Sequence, residues 1–376
     1  MRILLLGDAS NYHRALSRGL AGLGHDVTLA SDGGGWLRTG RDIDISRPAR
    51  GKIGGALLWV KLRSLLASDL KGFDIVQFAS PGFASLRPSR LRDILLRLKK
   101  ANGPLFLTAL GADSLYVRAL TGGNPPLRYS EFNIGPDPTP WARTPDARVA
   151  SWLAPELTDY TEFFYDNMSG VVSALYEYQK VVETVRPEMP SAYGGIPIAL
   201  DELPAPQQRP EGAPLKIYLC AQKGREVHKG ADILFREVRA LAARHPGEFE
   251  LLMPPNMPYD HFLRFLGGVD VLVDQLYSYT PATSALLGMA LGAVPVSGAE
   301  PEFARFIGEP EPLPIINPDP FDPSAFTGEI LRLARDRSLL ADYRLRGRRF
   351  VETHNSAPTV ARRFESLWER AVDLKK

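Results

Sequence analysis

Short apolar runs alternate with helix-like segments along most of the chain. Residues 2–6 (RILLL) form one apolar run, residues 13–23 carry leucines at helical spacing, and residues 26–30 form a second run. A strand, a helix and a strand in this order predict a βαβ unit, which requires a parallel sheet. The same pattern predicts further strands at 73–78, 104–109 and 170–173, and helices at 57–70, 89–99, 154–168 and 176–185.

A second series of the same kind follows a polar, proline-rich segment, residues 201–214 (DELPAPQQRPEGAP), which is interpreted as a linker. Beyond it, the pattern predicts strands at 216–221, 249–253, 269–274 and 294–297, and helices at 230–244, 258–266 and 282–291. Residues 322–376 are predicted to be helical. Residues 122–147 are rich in proline and glycine and are interpreted as a long excursion from the sheet, of a kind that is usually functional or mobile.

The predicted fold class is α/β, with two Rossmann-like domains facing a cleft. Residues 1–200 are assigned to an N-terminal domain, 201–214 to the linker and 215–355 to a C-terminal domain. Residues 356–376 are expected to form a C-terminal helix that packs back on the first domain.

Charge and composition exclude several functional classes. The chain has 45 Lys and Arg against 43 Asp and Glu, a formal charge of +2, whereas a dedicated nucleic-acid-binding protein needs a basic excess. The single cysteine, Cys220, excludes an intrachain disulfide and a cysteine-rich zinc site. The first apolar run ends at Leu6, too short for a signal peptide, and no run reaches the length of a membrane span. The expected location is the cytoplasm.

Two loops of the second domain suit an anion. The first loop carries Lys223, Arg225, His228 and Lys229 between a strand end and a helix start, where cations and free N–H groups favour a diphosphate. The alternative is a solvated basic turn. The second loop places hydroxyl groups around the start of a helix, at Tyr277, Ser278, Tyr279, Thr280, Thr283 and Ser284. Here the alternative is a simple helix cap by Thr280, with Pro281 as the first helical residue.

The first loop of the chain, GDASNYH, has one glycine and lacks the dinucleotide-binding fingerprint. It can bring Asn11 and His13 to the cleft floor; alternatively, Asn11 caps the helix and His13 lies on the surface. Residues 87–100 (RPSRLRDILLRLKK) alternate cations with leucine at helical spacing. They predict either an outer helix with leucines inward, which is favoured, or a peripheral contact with an anionic membrane face.

Three segments together resemble a glycosyltransferase of the GT-B fold, similar to the retaining class called family 4, or glycosyl transferases group 1. They are KIYLCAQKGREVHKGADIL, VDVLVDQLYSYTPATSALLGMALGAVPVSGAEPE and GLGHDVTLAS. The resemblance implies a nucleotide-diphosphate sugar bound by the second domain, a glycan or lipid-linked acceptor bound by the first, and retaining transfer. No metal cofactor is expected, because protein cations can stabilise the departing diphosphate.

The resemblance also assigns residues. Lys229 matches the family's lysine near the donor diphosphate, and Lys223 or Arg225 matches its arginine. The positions of its two glutamates correspond here to Tyr279 and Leu287. Glu300 and Glu302 could replace them as ribose or sugar contacts, or could be surface charges.

Where the family often has a catalytic-site histidine, this chain reads TALGADS, so Asp113 is the nearest polar candidate. His13 is the second candidate for activating the acceptor. Two rival functions stay open: a non-catalytic relative that binds nucleotide sugars, and a sugar-nucleotide epimerase or hydrolase.

Overall fold

The chain divides into two compact units, each built around its own parallel sheet. The structure is a computed structural model that describes residues 1–33, 40–207, 212–220, 224–254 and 257–373. Unit 1 consists of Met1–Pro126, Val149–Ala199 and Ser356–Lys376, and unit 2 of Leu127–Arg148 and Leu200–Asn355.

Thirteen strands lie in the described ranges. They are β1 Arg2–Leu6, β2 Asp26–Ser31, β3 Ile43–Asp44, β4 Ile75–Phe78, β5 Leu105–Ala109, β6 Asn133–Ile134, β7 Asp137–Pro138, β8 Gly170–Ser173, β9 Ser191–Tyr193, β10 Leu215–Leu219, β11 Phe249–Leu252, β12 Val271–Val273 and β13 Val294–Val296.

Fifteen α-helices connect or flank these strands in the same ranges. They are α1 Tyr12–Gly22, α2 Gly51–Ser68, α3 Pro88–Ala101, α4 Ser114–Thr121, α5 Val149–Trp152, α6 Pro155–Asp166, α7 Tyr176–Val185, α8 Glu226–Lys229, α9 Ala231–Arg244, α10 Tyr259–Leu266, α11 Thr283–Ala290, α12 Pro301–Ile307, α13 Thr327–Arg335, α14 Arg337–His354 and α15 Ala357–Asp373.

Unit 1 is organised by a seven-stranded parallel sheet with the strand order β3-β2-β1-β4-β5-β8-β9. Leu4 of β1 lies opposite Thr28 of β2 on one side and Val76 of β4 on the other. Residues 3–6 of β1 are buried, since a central parallel strand is covered on both faces. The α/β class predicted from the alternating pattern is confirmed.

The C-terminal helix α15 belongs to unit 1, where it packs on α1. A Cβ atom built on Gly19 of α1 would lie 2.2 Å from the carbonyl oxygen of Ala357, so only glycine permits this approach. The chain enters α15 beside the segment that leaves unit 1, and the Ala357 N–H donates to the Ile198 carbonyl at 3.0 Å. The chain passes between the units four times, and the last two of these connections, after Ala199 and before Ser356, lie close together in unit 1.

Unit 2 has a four-stranded parallel sheet with the strand order β11-β10-β12-β13. Apolar side chains from β10, β12 and β13 form its core with those of α9, α13 and α14. Gln207, within the predicted linker, donates its N–H to the Gly267 carbonyl of this unit at 3.0 Å, whereas residues 208–211 lie outside the described residues.

The excursion predicted at residues 122–147 is where the observed division differs most from the sequence-based boundaries. Residues 127–148 belong to unit 2, although the chain reaches them from unit 1 and returns to unit 1 afterwards. They contain the short antiparallel pair β6–β7 and two buried aromatic side chains, Tyr129 and Phe132. Because the segment lacks apolar periodicity, no local pattern indicates which unit it joins.

Some predicted elements agree with the structure residue by residue, whereas the long helix α2 begins six residues before its predicted start at 57. The strands at 2–6 and 170–173 and the helix at 176–185 have the predicted bounds. Residues 327–373 form three separate helices, α13 to α15. The elements that the pattern missed are short or irregular, namely β3, β6, β7, β9, α4, α5, α8 and α12.

Candidate active site

The strand order of the unit 2 sheet reverses between β10 and β12. From β10 the chain moves to β11 and then returns to the other side of β10 as β12. Loops that leave two such strands diverge and create a crevice at the carboxyl ends. Cys220 follows β10 and Asp274 follows β12, and both side chains are buried. This edge of unit 2 is the candidate site.

Lys229, the last residue of α8, is held at this edge by Asp274. The Lys229 Nζ atom donates to Asp274 Oδ1 at 2.9 Å. The Asp274 side chain is 0% exposed, and its Oδ2 atom accepts no hydrogen bond from the described residues. Because the carboxylate neutralises the ammonium, the pair has no net charge, and an anionic ligand needs further donors.

Cys220 connects the end of β10 to the start of α11. Its thiol is hydrogen-bonded to Ser284, and burial, with a smaller contribution from the Asp274 charge, raises the pKa of Cys220 to about 11. The thiol is therefore protonated at neutral pH, which suits a packing role rather than a nucleophile.

The start of α11 presents backbone donors near the same place. The helix begins at Thr283, and its cap residue, Ala282, has no side chain that could bind the first-turn N–H groups. Thr283 and Ser284 are half-buried. The alternative interpretation, in which Thr280 caps this helix and Pro281 is its first residue, is wrong. Thr280 is buried, and its N–H lies 3.3 Å from Ser278 Oγ. First-turn N–H groups suit phosphate oxygens.

Tyr277 is buried in the core of unit 2. Its ring packs against Gly230, where a Cβ atom would lie 2.8 Å from a ring carbon. Gly230 also has a φ of +67°, which favours glycine. The contact packs the loop after β12 against the end of α8, next to Lys229, whose carbonyl accepts from the Leu276 N–H at 2.8 Å.

Arg225 and His228 differ in exposure and charge. Arg225 is exposed, and its Nε atom lies 3.4 Å from His228 Nδ1. The His228 ring packs on Trp141, with ring centroids 4.0 Å apart. Burial, then the charges of Arg225 and Lys229, lowers the pKa of His228 to about 4, so this residue adds no positive charge at neutral pH. Lys223 lies outside the described residues.

Glu300 is not a surface charge but the centre of a buried network. Its Oε1 atom accepts from Tyr129 Oη at 2.6 Å and from Asn317 Nδ2 at 2.9 Å, and its Oε2 atom accepts from Arg128. The residue is 6% exposed. A carboxylate has about four acceptor positions, so Oε2 retains capacity for one further hydroxyl group.

Glu302 and Tyr279 hold the same arginine. Glu302 Oε1 accepts from Arg128 at 3.0 Å, and the Arg128 backbone N–H donates to Tyr279 Oη at 2.9 Å. The rings of Tyr279 and Tyr129 stack with centroids 4.6 Å apart. The two predicted acidic contacts therefore lie together, and they bind residues 128–129 of the excursion.

His13, in unit 1, is fully buried rather than on the surface. Its Nδ1 atom lies 2.7 Å from the Gly7 carbonyl and its Nε2 atom 3.1 Å from Thr108 Oγ1. A carbonyl only accepts, so Nδ1 carries the proton and Nε2 accepts. Burial lowers the pKa of His13 to about 4. Asn11 occupies the cap position of α1 without a side-chain bond; the Asp8 carboxylate accepts from the His13 N–H instead.

The hydrogen bonds of His13 continue across the sheet of unit 1. Gln77 Nε2 donates to Thr108 Oγ1 at 3.0 Å, and Trp368 Nε1 of α15 donates to Gln77 Oε1 at 2.9 Å. The network is neutral and buried, and it joins α1, β5, β4 and α15.

Asp113 caps a helix that the sequence analysis missed. One carboxylate oxygen accepts from the Tyr116 N–H at 2.9 Å, and the other accepts from Tyr165 Oη at 2.8 Å. Burial raises the pKa of Asp113, although these bonds oppose the shift. Both oxygens are engaged in holding α4 and α6.

The basic segment at 87–100 forms most of α3. Its apolar residues Leu91, Ile94, Leu95 and Leu98 are buried, as the favoured interpretation predicted. These four residues pack inward, whereas Leu96 of the same helix is 50% exposed.

Sequence reasoning missed the partners of the predicted residues, above all Asp274, Arg128, Tyr129 and Asn317. An acidic residue directly after an apolar strand was the available signal for Asp274. The others come from irregular segments, and no local pattern pairs them with Glu300.

Two structural properties complete the description. Within the described residues, no cluster of three or more histidine, cysteine, aspartate or glutamate side chains is arranged to hold a metal ion. None of the described helices has the length and apolarity needed to span a membrane.

The sequence matches no protein-family model, and no curated protein is significantly similar to it. Solved structures do resemble this one over the whole chain. Sucrose-phosphate synthase from Thermosynechococcus elongatus is 14% identical, with a TM-score of 0.61 and 100% of both chains covered. Anabaena HepE, in complex with UDP and glucose, is 11% identical, with a TM-score of 0.59 and coverage of 98% of this chain and 100% of that chain.

An alpha-glucosyltransferase in complex with UDP and a 13-mer DNA containing an HMU base is 12% identical. Its TM-score is 0.59, and 98% of this chain and 99% of that chain are covered. At such identities the likeness concerns the fold. With its parallel sheets and full coverage of these structures, the chain has the α/β fold of the GT-B glycosyltransferases.

Proposed function

We propose that the protein is a glycosyltransferase that moves a sugar from a nucleotide-diphosphate donor to a glycan or lipid-linked acceptor. Retention of configuration, as the family 4 resemblance implies, is part of the proposal. So is independence from a metal ion. The observation that supports it best is the position of Lys229 and the start of α11 at one switch point of the unit 2 sheet.

The donor diphosphate is assigned to this edge of unit 2. Lys229 supplies an ammonium fixed by Asp274, and Arg225 adds a guanidinium that no carboxylate neutralises within 4.0 Å among the described residues. The N–H groups and hydroxyls of Thr283 and Ser284 add neutral donors. Together they offer the point cations and amide donors that a diphosphate needs.

The same groups have a role in the reaction. The bond between the anomeric carbon and the diphosphate breaks, and the acceptor hydroxyl oxygen bonds to that carbon on the same face. The hydroxyl proton passes to an oxygen of the departing diphosphate. Negative charge grows on the leaving diphosphate, and fixed donors stabilise this charge more in the transition state than before it. Because no carboxylate of the described residues neutralises Arg225, and because Lys229 adds a charged donor, we propose that no metal is needed.

Glu300 and Glu302 are proposed to contact the ribose or the sugar. Glu300 can accept from a hydroxyl group through Oε2, which retains one acceptor position. The engaged ring nitrogens of His13 and the engaged oxygens of Asp113 support structural roles for these residues in unit 1. Neither is therefore assigned the proton of the acceptor.

The test is titration calorimetry with UDP, which is the nucleotide named with two of the similar structures. The informative variant is Lys229→Met with Asp274→Leu, because it removes both charges and leaves no buried carboxylate unpaired. We expect UDP affinity to fall about tenfold or more. The control is Lys216→Met, at the other end of β10. Equal UDP affinity in both variants would exclude the assigned diphosphate site.

Turnover is then measured with UDP-sugars, with and without a metal chelator, and the anomeric configuration of the product is determined by NMR. Activity lost on chelation would contradict metal independence. An inverted product would contradict retention.

One observation favours a second candidate, a non-catalytic protein that binds nucleotide sugars. Tyr279 and Leu287 stand where the resemblance places glutamates, and Tyr279 is engaged with Arg128. UDP binding without turnover of any sugar donor would support this candidate. Turnover of the donor alone, with an epimerised or hydrolysed product, would support an epimerase or hydrolase.

A further inference from the structure

Unit 1 contains a basic cavity that none of the predicted site residues lines. It has a volume of about 680 Å³ and is formed by residues 47–55 at the start of α2 and 85–90 at the start of α3. Its charged side chains are Arg47, Lys52, Arg87 and Arg90, and no acidic residue lines it. Both helices start at the carboxyl edge of the parallel sheet, which is the edge where such sheets bind ligands.

The four cations lack counter-charges, whereas cations close to them in the chain are paired. Arg41 and Lys61 both bind Asp44, and Arg92 binds Asp159. In the described part of the chain, no carboxylate lies within 4.0 Å of the four lining cations. Four uncompensated cations around one cavity repel one another, and an anion would relieve this repulsion.

Gly55 shows how closely two of the cations converge. A Cβ atom built on this residue would lie 3.0 Å from Arg47 Nη2 and 3.4 Å from Arg90 Nη1. Both guanidinium groups therefore reach the space that a side chain at position 55 would occupy. Arg47 is fixed by bonds to Ser85 and to the Gly51 carbonyl, and the Arg90 guanidinium lies 5.6 Å from the centre of the Trp59 ring.

The starts of α2 and α3 increase the positive electrostatic potential of the cavity. Neither α2 nor α3 has a side-chain cap or an acidic residue in its first turn. The first-turn N–H groups of α2, the Ser89 N–H of α3 and the positive dipole ends of both helices therefore add to the charge of the arginines. Pro88 has no N–H, and the Arg90 N–H donates to the Arg87 carbonyl at 3.0 Å.

We propose that this cavity binds a phosphate or diphosphate group carried by the acceptor, which specifies the acceptor class of the proposed transferase and rests on that function. Guanidinium pairs bind phosphate oxygens in a bidentate manner, and the helix starts supply further N–H donors. The acceptor is then an anionic molecule, either a soluble sugar phosphate or a phosphate borne by a lipid.

An exposed apolar row on α2 favours the lipid source. Ile53, Leu57 and Val60 are 73%, 48% and 58% exposed, and their spacing places them along one side of the helix. The row begins one residue after Lys52 of the cavity. A phosphate held in the cavity would thus have an apolar surface beside it for an acyl or prenyl chain.

The experiment uses the full-length protein in the presence of saturating UDP, so that the donor site is occupied. Inorganic pyrophosphate is titrated by calorimetry, and vesicles of phosphatidylcholine with or without phosphatidic acid are sedimented with the protein. The variants are Gly55→Ala, which places a methyl group between the guanidiniums, and Arg47→Gln with Arg90→Gln. Alanine at position 55 is compatible with the helix, and the atoms it meets are the ends of flexible side chains.

The matched controls are Gly22→Ala, where a Cβ atom meets nothing within 4 Å, and Arg63→Gln with Lys71→Gln, which removes equal charge outside the cavity. We expect both cavity variants, and neither control, to weaken binding about tenfold or more. Binding of pyrophosphate alone would identify a soluble acceptor, and binding of phosphatidic acid vesicles alone a lipid-borne one. No binding to either, or binding equally weakened by the controls, would overturn the proposal.

Failure of this proposal can be told apart from failure of the proposed function. The cavity variants should bind UDP as tightly as the unaltered protein does. The variant Lys229→Met with Asp274→Leu should bind pyrophosphate as tightly as the unaltered protein does. Loss of UDP binding alone concerns unit 2, and loss of pyrophosphate binding alone concerns the cavity.

Discussion

At the carboxyl edge of the unit 1 sheet, the buried network of His13 is neutral, whereas at the same edge of unit 2 Lys229 and Glu300 belong to charged pairs. In unit 1, His13, Thr108, Gln77 and Trp368 form a chain in which each donor meets an acceptor. In unit 2, Lys229 meets Asp274, and Glu300 meets Arg128 and its neighbours. The sheets are of one class, but their polar interiors are different.

The difference indicates what each edge is suited to do. A neutral network that is fully bonded locks helices onto a sheet and offers few unused donors to a ligand. Burying a charged pair costs desolvation energy and often adds little to stability. The presence of such pairs where the strand order reverses therefore indicates ligand binding. We therefore place the chemistry in unit 2 and regard the His13 network as part of the scaffold.

The largest expected effect comes from breaking the pair in unit 2. Lys229→Ala leaves the Asp274 carboxylate buried without its partner and should cost about 3–5 kcal/mol of unfolding free energy. Lys229→Met with Asp274→Leu should recover most of this loss. Urea unfolding followed by the fluorescence of Trp141, the one tryptophan of the second unit, measures the effect after the unit 1 tryptophans are replaced.

Lys216→Ala, at an exposed pair with Glu250, serves as the control and should change stability little. A double variant no more stable than Lys229→Ala would mean that packing, rather than an unpaired charge, causes the loss.

The second largest expected effect is on the pH dependence of the stability of unit 1. The pKa of His13 is about 4 in the folded protein and about 6.5 in the unfolded chain, so the unfolded state binds more protons between these values. Stability is therefore complete above pH 6.5 and falls as the pH decreases towards 4, by at most about 3 kcal/mol from this residue. His13→Gln should be less stable at pH 7 and should lose less on acidification.

Urea unfolding at several pH values, compared with the exposed control His261→Gln, measures this difference. An unchanged pH slope in His13→Gln would show that His13 is not buried in its neutral form.

The smallest expected effect lies in the network of Glu300. Tyr129→Phe removes one of three donors to this buried carboxylate and should cost about 1–3 kcal/mol, since Arg128 and Asn317 remain. Thermal unfolding measures the cost against Tyr343→Phe on α14. A loss no larger than that of the control would show that residues 127–148 are not held to unit 2 through Glu300.

The periodicity of the sequence was sufficient for the regular parts of the fold. Apolar runs such as RILLL and FDIVQF have few alternatives to buried parallel strands, and leucines at helical spacing predict the helices between them. It also predicted the loops after β10 and β12 as the candidate site, because ligands bind at the carboxyl ends of such strands.

The partners of the selected residues could not be predicted in this way. Thr280 was expected either as an anion-binding hydroxyl or as a helix cap, and it is buried in the preceding turn. His13 and Asp113 were expected at a reacting centre but are bonded within unit 1. A local pattern specifies a residue's own conformation, whereas its ionisation and its hydrogen bonds depend on neighbours that are distant in sequence.

What the sequence alone determined is therefore the α/β class, the order of the regular elements and the basic loop that ends at Lys229. The tertiary structure alone decided that Asp274 neutralises Lys229, that residues 127–148 join unit 2 and that Arg47 and Arg90 converge over Gly55. The reason is physical: hydrophobic periodicity is a property of one segment, but a buried charge or a cavity is created only when separate segments pack together.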